Sequence, residues 1–371
     1  MKRKIVVFFI ESFEGGGAER VLLSILRNID RKRILPKVLV LTDFGKQRDE
    51  FHKLEIPIKS IITSNSILQR IKYKLLYKVL PSWLAAKWII SGVEGDTYVA
   101  FVEGYCTRIF SKISKRRKVA WVHIDLKAFP WTLNKGIYSS LKEECSSYKN
   151  FDQVIGVSES VSEIMRDYYG LTNVTTIYNP IDEKRIKRLS EEETDCEVSK
   201  DTFNLVSIGR LTPQKGYIQL ISLMPELLHA NPEIRLFIIG EGEERDHLEN
   251  KIFELNLQDK ITLLGYKDNP YSILKKMDLF VCSSVAEGFS LVCAEAILCD
   301  LPVISMNCAG PNELLGNGKY GMLCDNYEDL KNEIIKLSLN PSMFRDQKLK
   351  IQDRKKIFNS SNIISQIMDM I

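Results

Sequence analysis

Glu287 and Glu295 are separated by seven residues in the run Glu287-Gly288-Phe289-Ser290-Leu291-Val292-Cys293-Ala294-Glu295. The preceding residues 277–284 form an apolar run closing in small polar residues, which predicts a strand; residues 291–298 predict a helix. The first carboxylate then sits in a loop at the carboxyl end of a strand, and the second about two turns into the helix. Between them, around Gly288, Phe289 and Ser290, the helix N-terminus presents unpaired N–H groups and positive partial charge, where an anion can settle. Two carboxylates holding hydroxyls on either side of an anion suit a sugar nucleotide, laid out as hydroxyls, diphosphate, hydroxyls.

A second group of chemical residues lies in Gly209-Arg210-Leu211-Thr212-Pro213-Gln214-Lys215-Gly216, directly after an apolar strand pattern. Arg210 and Lys215 then stand where open α/β sheets bind ligands. A guanidinium grips phosphate oxygens in a fork and a lysine adds a point charge, so the two can neutralise a diphosphate leaving group. Gly15-Gly16-Gly17-Ala18-Glu19-Arg20 follows the first strand pattern and opens a helix. Its glycines allow a tight turn and close approach of a phosphate or sugar to the backbone at Gly16 and Gly17, but the dinucleotide fingerprint Gly-x-Gly-x-x-Gly is not met.

The elements that carry these residues repeat twice. Strand patterns at 4–10, 37–42, 98–102, 118–123 and 153–157 alternate with helical ones. The series restarts at 203–208, 234–239, 261–264, 279–282 and 302–305 after a polar stretch, 190–195, that reads as a linker. Alternation of this kind predicts an α/β protein with parallel sheets. The restart favours two domains over one large sheet, and 371 residues suffice for both. The segment 327–371 is helical and polar-rich.

The Glu-x7-Glu run behind Ser283-Ser284, its Gly288-Phe289-Ser290 turn and the Gly-Arg-x4-Lys-Gly pattern together resemble the retaining glycosyltransferases of family 4 (GT4). The resemblance covers nearly the whole chain and is strongest over 203–325. It implies the GT-B fold, two Rossmann-like domains with parallel sheets facing across a cleft that closes to exclude water. These would be an acceptor-side domain, 1–180, completed by 355–371, and a donor-nucleotide domain, 181–354. It also implies that Glu295 holds the ribose hydroxyls, Glu287 the donor sugar hydroxyls, and Arg210 and Lys215 the diphosphate. Backbone groups near Gly16–Gly17 and 288–290 would assist, and His123 in Trp121-Val122-His123-Ile124-Asp125 would lie beside the donor sugar. Asp125 and Lys127 would face the acceptor. The loops Gly240-Glu241-Gly242 and Gly265-Tyr266-Lys267 match those around the nucleotide base. Glu14, where glycogen-synthase-type enzymes carry a lysine before the glycines, argues against that branch.

By the same resemblance the reaction is a front-face transfer in which the leaving phosphate accepts the acceptor's proton. No Asp-x-Asp motif accompanies it, so neither metal nor cofactor is expected. The donor expected is a UDP-sugar carrying a hexose or N-acetylhexosamine. The acceptor expected is a polyprenyl-diphosphate-linked glycan, as in bacterial surface-polysaccharide or lipid-linked oligosaccharide assembly. A UDP-sugar epimerase of GT-B fold and a degenerate membrane-binding transferase subunit are the alternatives; the paired Glu287/Glu295 and Arg210/Lys215 argue against both.

Net charge is +4, but residues 1–180 carry +11 and the remainder −7. This points the first half towards an anionic partner, with a chance imbalance that has no partner as the plain alternative. Its best candidate surface is 67–83, where Leu68, Ile71, Leu75 and Val79 recur at helical spacing beside the stripe Arg70, Lys74, Lys78 and two tyrosines. Lys72 interrupts the apolar face. A basic amphipathic helix suits an anionic membrane surface or a lipid diphosphate. A packed helix with a solvated cationic face is the plain alternative. The cluster Ser114-Lys115-Arg116-Arg117-Lys118 adds charge, but no nucleic-acid motif accompanies it. The short apolar start, ending at Glu11 without a cleavage site, reads as a buried strand rather than a signal peptide. The eight scattered cysteines read as free thiols in a reducing cytoplasm, and His52, His123, His229 and His247 show no metal-ligand spacing. The location expected is cytoplasmic, peripheral on the inner face of the cell membrane.

Overall fold

Apolar runs too continuous for one-sided burial become parallel strands covered by helices on both faces. The computed structural model describes residues 3–14, 16–114, 116–355, 358 and 360–371, so Gly15 and Lys115 of the expected glycine turn and basic cluster lie outside the described residues. The chain divides into two compact units, Met1–Pro180 with Ser361–Ile371, and Ile181–Ser360.

The first unit holds seven parallel strands: β1 Lys4–Ile10, β2 Ile34–Thr42, β3 Ile58–Ile62, β4 Thr97–Ala100, β5 Arg117–Val122, β6 Gln153–Gly156 and β7 Val174–Thr176. Their order is β3-β2-β1-β4-β5-β6-β7. From β1 the chain steps outward to β3, then returns to lay β4 on the other side of β1. The sheet therefore changes direction between β1 and β4, and open α/β sheets bind ligands at the carboxyl ends of such a pair. Val6, Val7, Phe8, Phe9 and Ile10 are fully buried, each contributing on the order of 2 kcal/mol. The final helix, Ser360–Met370, buries Ile364 and Ile367, and Arg33 pairs with its Asp369 at 2.8 Å.

The second unit has six parallel strands: β8 Phe203–Ile208, β9 Ile234–Ile239, β10 Ile261–Gly265, β11 Leu279–Cys282, β12 Val303–Met306 and β13 Met322–Cys324. Their order, β10-β9-β8-β11-β12-β13, puts the change of direction between β8 and β11. Leu205, Leu220, Met224, Leu236, Leu279 and Ile304 form part of its core.

Three strands escape the sequence reading: β3, β7 and β13. They are short or only partly buried, so their apolar pattern is weak. The stretch 190–195 is not a linker. It belongs to the second unit, where Glu191 pairs with Lys275, Asn269 Nδ2 donates to Glu192 Oε2 (3.1 Å) and Lys267 pairs with Asp195 at 3.4 Å. Its polarity thus serves local ion pairs. All eight cysteines are free and six are buried, as expected of thiols in apolar runs.

Candidate active site

In the second unit, the loop after β8 and the loop after β11 are stitched together at the change of sheet direction. Gln214 Nε2 donates to the Ala286 carbonyl (2.6 Å), Ser283 Oγ to the Lys215 carbonyl (2.7 Å) and the Val285 amide to the Gln214 carbonyl (2.9 Å). Gly216 makes this approach possible. It has φ +65°, and a Cβ there would lie 2.3 Å from the Ser283 carbonyl oxygen. The result is an ion pair, Lys215 Nζ to Glu287 Oε1 at 2.5 Å, with both side chains largely buried. Ser284 Oγ donates to the same oxygen (2.8 Å), while Oε2 accepts no hydrogen bond from the described residues. Burial works against the Lys215 charge, but the adjacent Glu287 carboxylate outweighs it and holds the pKa above the ordinary lysine value.

Arg210, in contrast, is exposed, and its guanidinium has no side-chain partner among the described residues. The loop thus offers one fixed cation and one free one. Behind it the neighbouring loops press close: a Cβ on Gly240 (φ +149°) would meet the Gly209 carbonyl oxygen at 1.8 Å, so the turn after β9 tolerates no side chain.

Past Glu287, Gly288, Phe289 and Ser290 are buried and lead into the helix Leu291–Leu298. Ser290 takes φ +57°, an uncommon conformation for a non-glycine residue, and no side chain caps the helix. The Cys293 and Ala294 amides return to the Ser290 carbonyl (3.1 and 3.3 Å), so only the first amides of the helix remain as anion donors. Glu295 is buried on this helix, and Tyr271 Oη donates to its Oε1 at 3.0 Å. That tyrosine, which the sequence reading did not single out, fixes the carboxylate's position. Among the described residues no three His, Cys, Asp or Glu side chains gather as a metal site would require.

The first unit carries the remaining residues. His123 follows β5, and its Nε2 lies 2.8 Å from the Phe101 carbonyl. A carbonyl only accepts, so Nε2 carries the proton and Nδ1 is left as an acceptor. Burial lowers the His123 pKa to about 4, keeping the ring neutral. Glu103, absent from the sequence reading, holds the segment in place by accepting the His123 amide and the Ile124 amide (3.2 Å). Burial raises its carboxyl to about 7 despite these bonds. The signal was an acidic residue just past an apolar strand, shared by Glu11 after β1. Gly16 is extended and precedes the helix Gly17–Asn28, which no side chain caps. Asp125 is occupied within its own turn, accepting the Lys127 and Ala128 amides (2.9 and 2.8 Å), while Lys127 lies over the Tyr168 ring.

The segment 67–89 forms a helix Ile67–Lys74, a wider π turn Leu75–Val79 and a helix Ser82–Ile89. Its periodic apolar residues do not pack. Leu68 is 79% exposed, Ile71 58% and Val79 62%, joined by Trp83 and Trp88, and Arg70, Lys74, Lys78 and Lys87 are exposed beside them. The residues turned inward are Leu76, Tyr73, Tyr77 and Lys72, which donates to the Ile61 carbonyl (2.6 Å). The lysine that interrupts the apolar face therefore lies on the covered side. Among the described residues no helix is long and apolar enough to cross a membrane.

Known proteins agree with this architecture. The model of Glycosyltransferase Family 4 matches residues 15–185, and that of Glycosyl transferases group 1 matches 190–356. The chain is 28% identical over 358 residues, 94% of this chain and 90% of the relative, to the Campylobacter jejuni N-acetylgalactosamine-N,N'-diacetylbacillosaminyl-diphospho-undecaprenol 4-alpha-N-acetylgalactosaminyltransferase. It is 32% identical over 230 residues to an uncharacterized glycosyltransferase of Methanocaldococcus jannaschii, a match covering 59% of this chain and 56% of the relative. The Anabaena HepE structure in complex with UDP-glucose superposes with TM-score 0.75 at 21% identity, over 99% of both chains. WaaG, a glycosyltransferase involved in lipopolysaccharide biosynthesis, does so with TM-score 0.72 at 12% identity, again over 99% of both. Two successive parallel-sheet units matched end to end by two transferase families leave one assignment: the chain belongs to the GT4-type glycosyltransferases of GT-B fold.

Proposed function

We propose that the protein is a retaining, metal-independent glycosyltransferase that moves a hexosyl or N-acetylhexosaminyl group from a UDP-sugar to a polyprenyl-diphosphate-linked or other cell-surface glycan. The observation that carries the donor half is the Lys215–Glu287 pair at the change of direction of the second sheet, with unpaired Arg210 on the same loop. A diphosphate settling there meets two cations, one held charged by Glu287 and one always charged. As the bond from the anomeric carbon to the diphosphate breaks, negative charge grows on the leaving group, and the two cations stabilise it more than they stabilise the ground state. The acceptor oxygen bonds to the same face of the anomeric carbon and its proton passes to the leaving phosphate. Glu287 Oε2 takes donor sugar hydroxyls, Glu295 takes the ribose, and His123, with Nδ1 as acceptor, stands by the sugar. Gly16, Gly17 and the backbone at 288–290 assist.

The choice of donor is supported by the UDP-glucose bound to the Anabaena neighbour. The choice of acceptor is supported by the diphospho-undecaprenol named for the Campylobacter relative and by the exposed apolar residues of 67–88 beside Arg70, Lys74, Lys78 and Lys87. Apolar side chains flanked by cations suit the inner face of an anionic membrane, where each cation adds about 1 kcal/mol.

Thermal unfolding with UDP, GDP and ADP, each with and without EDTA, tests the donor site, because a ligand of the folded state alone raises the melting temperature. A rise with UDP that survives EDTA is expected. No rise with any nucleotide would overturn the donor assignment, and a rise lost in EDTA would overturn metal independence.

A further inference from the structure

Glu295 is set in place by a loop other than its own. The turn after β10 runs through Asn269 and Pro270 into the short helix Tyr271–Leu274, which lies against the helices Glu183–Ser190 and Leu291–Leu298. Asn269 fixes the start of that short helix. Its Oδ1 accepts the Tyr271 amide (3.2 Å), and its Nδ2 donates to the Leu189 carbonyl (2.8 Å) and to Glu192 Oε2 (3.1 Å). Tyr271 is 2% exposed, so its ring has no room to swing, and its hydroxyl donates to Glu295 Oε1 at 3.0 Å across 24 residues of chain.

This bond does more than satisfy a buried hydroxyl. A glutamate side chain turns about several bonds, and a carboxylate offers about four lone-pair sites. The Tyr271 bond uses one of them and sets the plane of the Glu295 carboxylate before any ligand arrives. Two neighbouring hydroxyls of a sugar ring both donate to one carboxylate only when its plane faces them. A carboxylate oriented in advance therefore loses less freedom on binding, and a site built this way rejects a ligand that lacks one of the hydroxyls.

We infer that Tyr271 is a positioning residue for the donor's ribose. Acting through Glu295, it sets the preference for a nucleotide with both 2′- and 3′-hydroxyls over one without the 2′-hydroxyl. This role rests on the reading of Glu295 as the carboxylate that takes the donor ribose. Without the tyrosine hydroxyl the carboxylate turns freely. That weakens the ligand that uses both hydroxyls most, and the ligand that offers one hydroxyl least.

Isothermal titration of the full chain with UDP and with 2′-deoxy-UDP tests it, in the wild type, Tyr271→Phe, Glu295→Gln and the double variant. The wild type is expected to bind UDP about tenfold more tightly than 2′-deoxy-UDP. Tyr271→Phe removes one oxygen and keeps the ring. In this variant the UDP affinity should fall about tenfold while that of 2′-deoxy-UDP stays nearly unchanged, so the preference closes. Glu295→Gln should close it too, and the double variant should match Glu295→Gln alone, because the two groups act as one unit. A purely structural role for Tyr271 would move the urea midpoint and leave the ratio of the two affinities where it was. A preference kept in Tyr271→Phe but lost in Glu295→Gln would overturn the role of Tyr271 and leave the ribose reading standing. A preference kept in Glu295→Gln, or none in the wild type, would sink the ribose reading and the role of Tyr271 with it. Should Tyr271→Phe fail to fold, Asn269→Ala, which loosens the tyrosine without touching Glu295, takes its place in the same comparison.

Discussion

Lys215 Nζ and Glu287 Oε1 lie 2.5 Å apart across 72 residues of chain. They meet because β8 and β11, not adjacent in sequence, are neighbours in the sheet, and because Gly216 lets the loop after β8 touch the Ser283 carbonyl. The pair keeps Lys215 charged and aims it at the end of the sheet where ligands bind. Arg210, five residues earlier on the same loop, has no such tether.

This difference separates two substitutions. Arg210→Ala should lower turnover about 100-fold while leaving stability within about 0.5 kcal/mol, because an exposed, unpaired side chain is removed. Lys215→Ala should lower turnover by a similar factor and also cost about 3 kcal/mol, since it strands a largely buried carboxylate. Urea midpoints and steady-state rates on the same preparations check both.

Gly216→Ala should destabilise the second unit by at least about 2 kcal/mol, through a left-handed backbone and a contact that the Ser283 carbonyl cannot relieve without opening the loop. The melting-temperature rise with UDP should shrink with it. Wild-type stability in this variant would show that the two loops do not need their close approach.

Glu103 and His123 give the first unit opposing pH dependences. Burial raises the Glu103 carboxyl from an ordinary 4.5 to about 7, so between these values the folded state holds a proton the unfolded state has lost. Stability from this group falls as pH rises through the window, by up to about 1.4 kcal/mol per unit. Burial lowers His123 from 6.5 to about 4, so there the unfolded state holds the extra proton and stability rises with pH. Glu103→Gln retains an oxygen for the two amides and removes only the first effect. Its urea midpoint should climb across this window relative to the wild type; parallel profiles would contradict the assignment.

Replacing Arg70, Lys74 and Lys78 together with Gln should weaken binding to phosphatidylglycerol vesicles on the order of 100-fold, at about 1 kcal/mol per cation. Leu68→Ser with Val79→Ser should weaken it on vesicles of any charge, because those side chains are exposed and have apolar area to bury. Flotation at low and high salt distinguishes the two effects, since only the first is screened. Flotation unchanged in both variants would remove this segment from the membrane reading.

The α/β class, ten of the strands and the loops at their carboxyl ends were legible in the amino-acid order alone. Each of these depends on local order: a continuous apolar run, then glycine, small polar or charged residues where the strand ends. The positions of Arg210, Lys215, Glu287 and His123 just past strand ends were legible for that reason. Which loops meet is a matter of tertiary packing. Spacing along the chain does not say that β8 lies beside β11 or β1 beside β4, so neither the Lys215–Glu287 pair nor the placing of Glu11 against Tyr105 was legible. Periodicity over 67–79 likewise revealed two faces of a helix but not which one the protein covers. The outcome, with Leu68, Ile71 and Val79 outside and Leu76 and Lys72 inside, depends on the neighbouring Ile61 carbonyl and Tyr105, residues that only folding brings near.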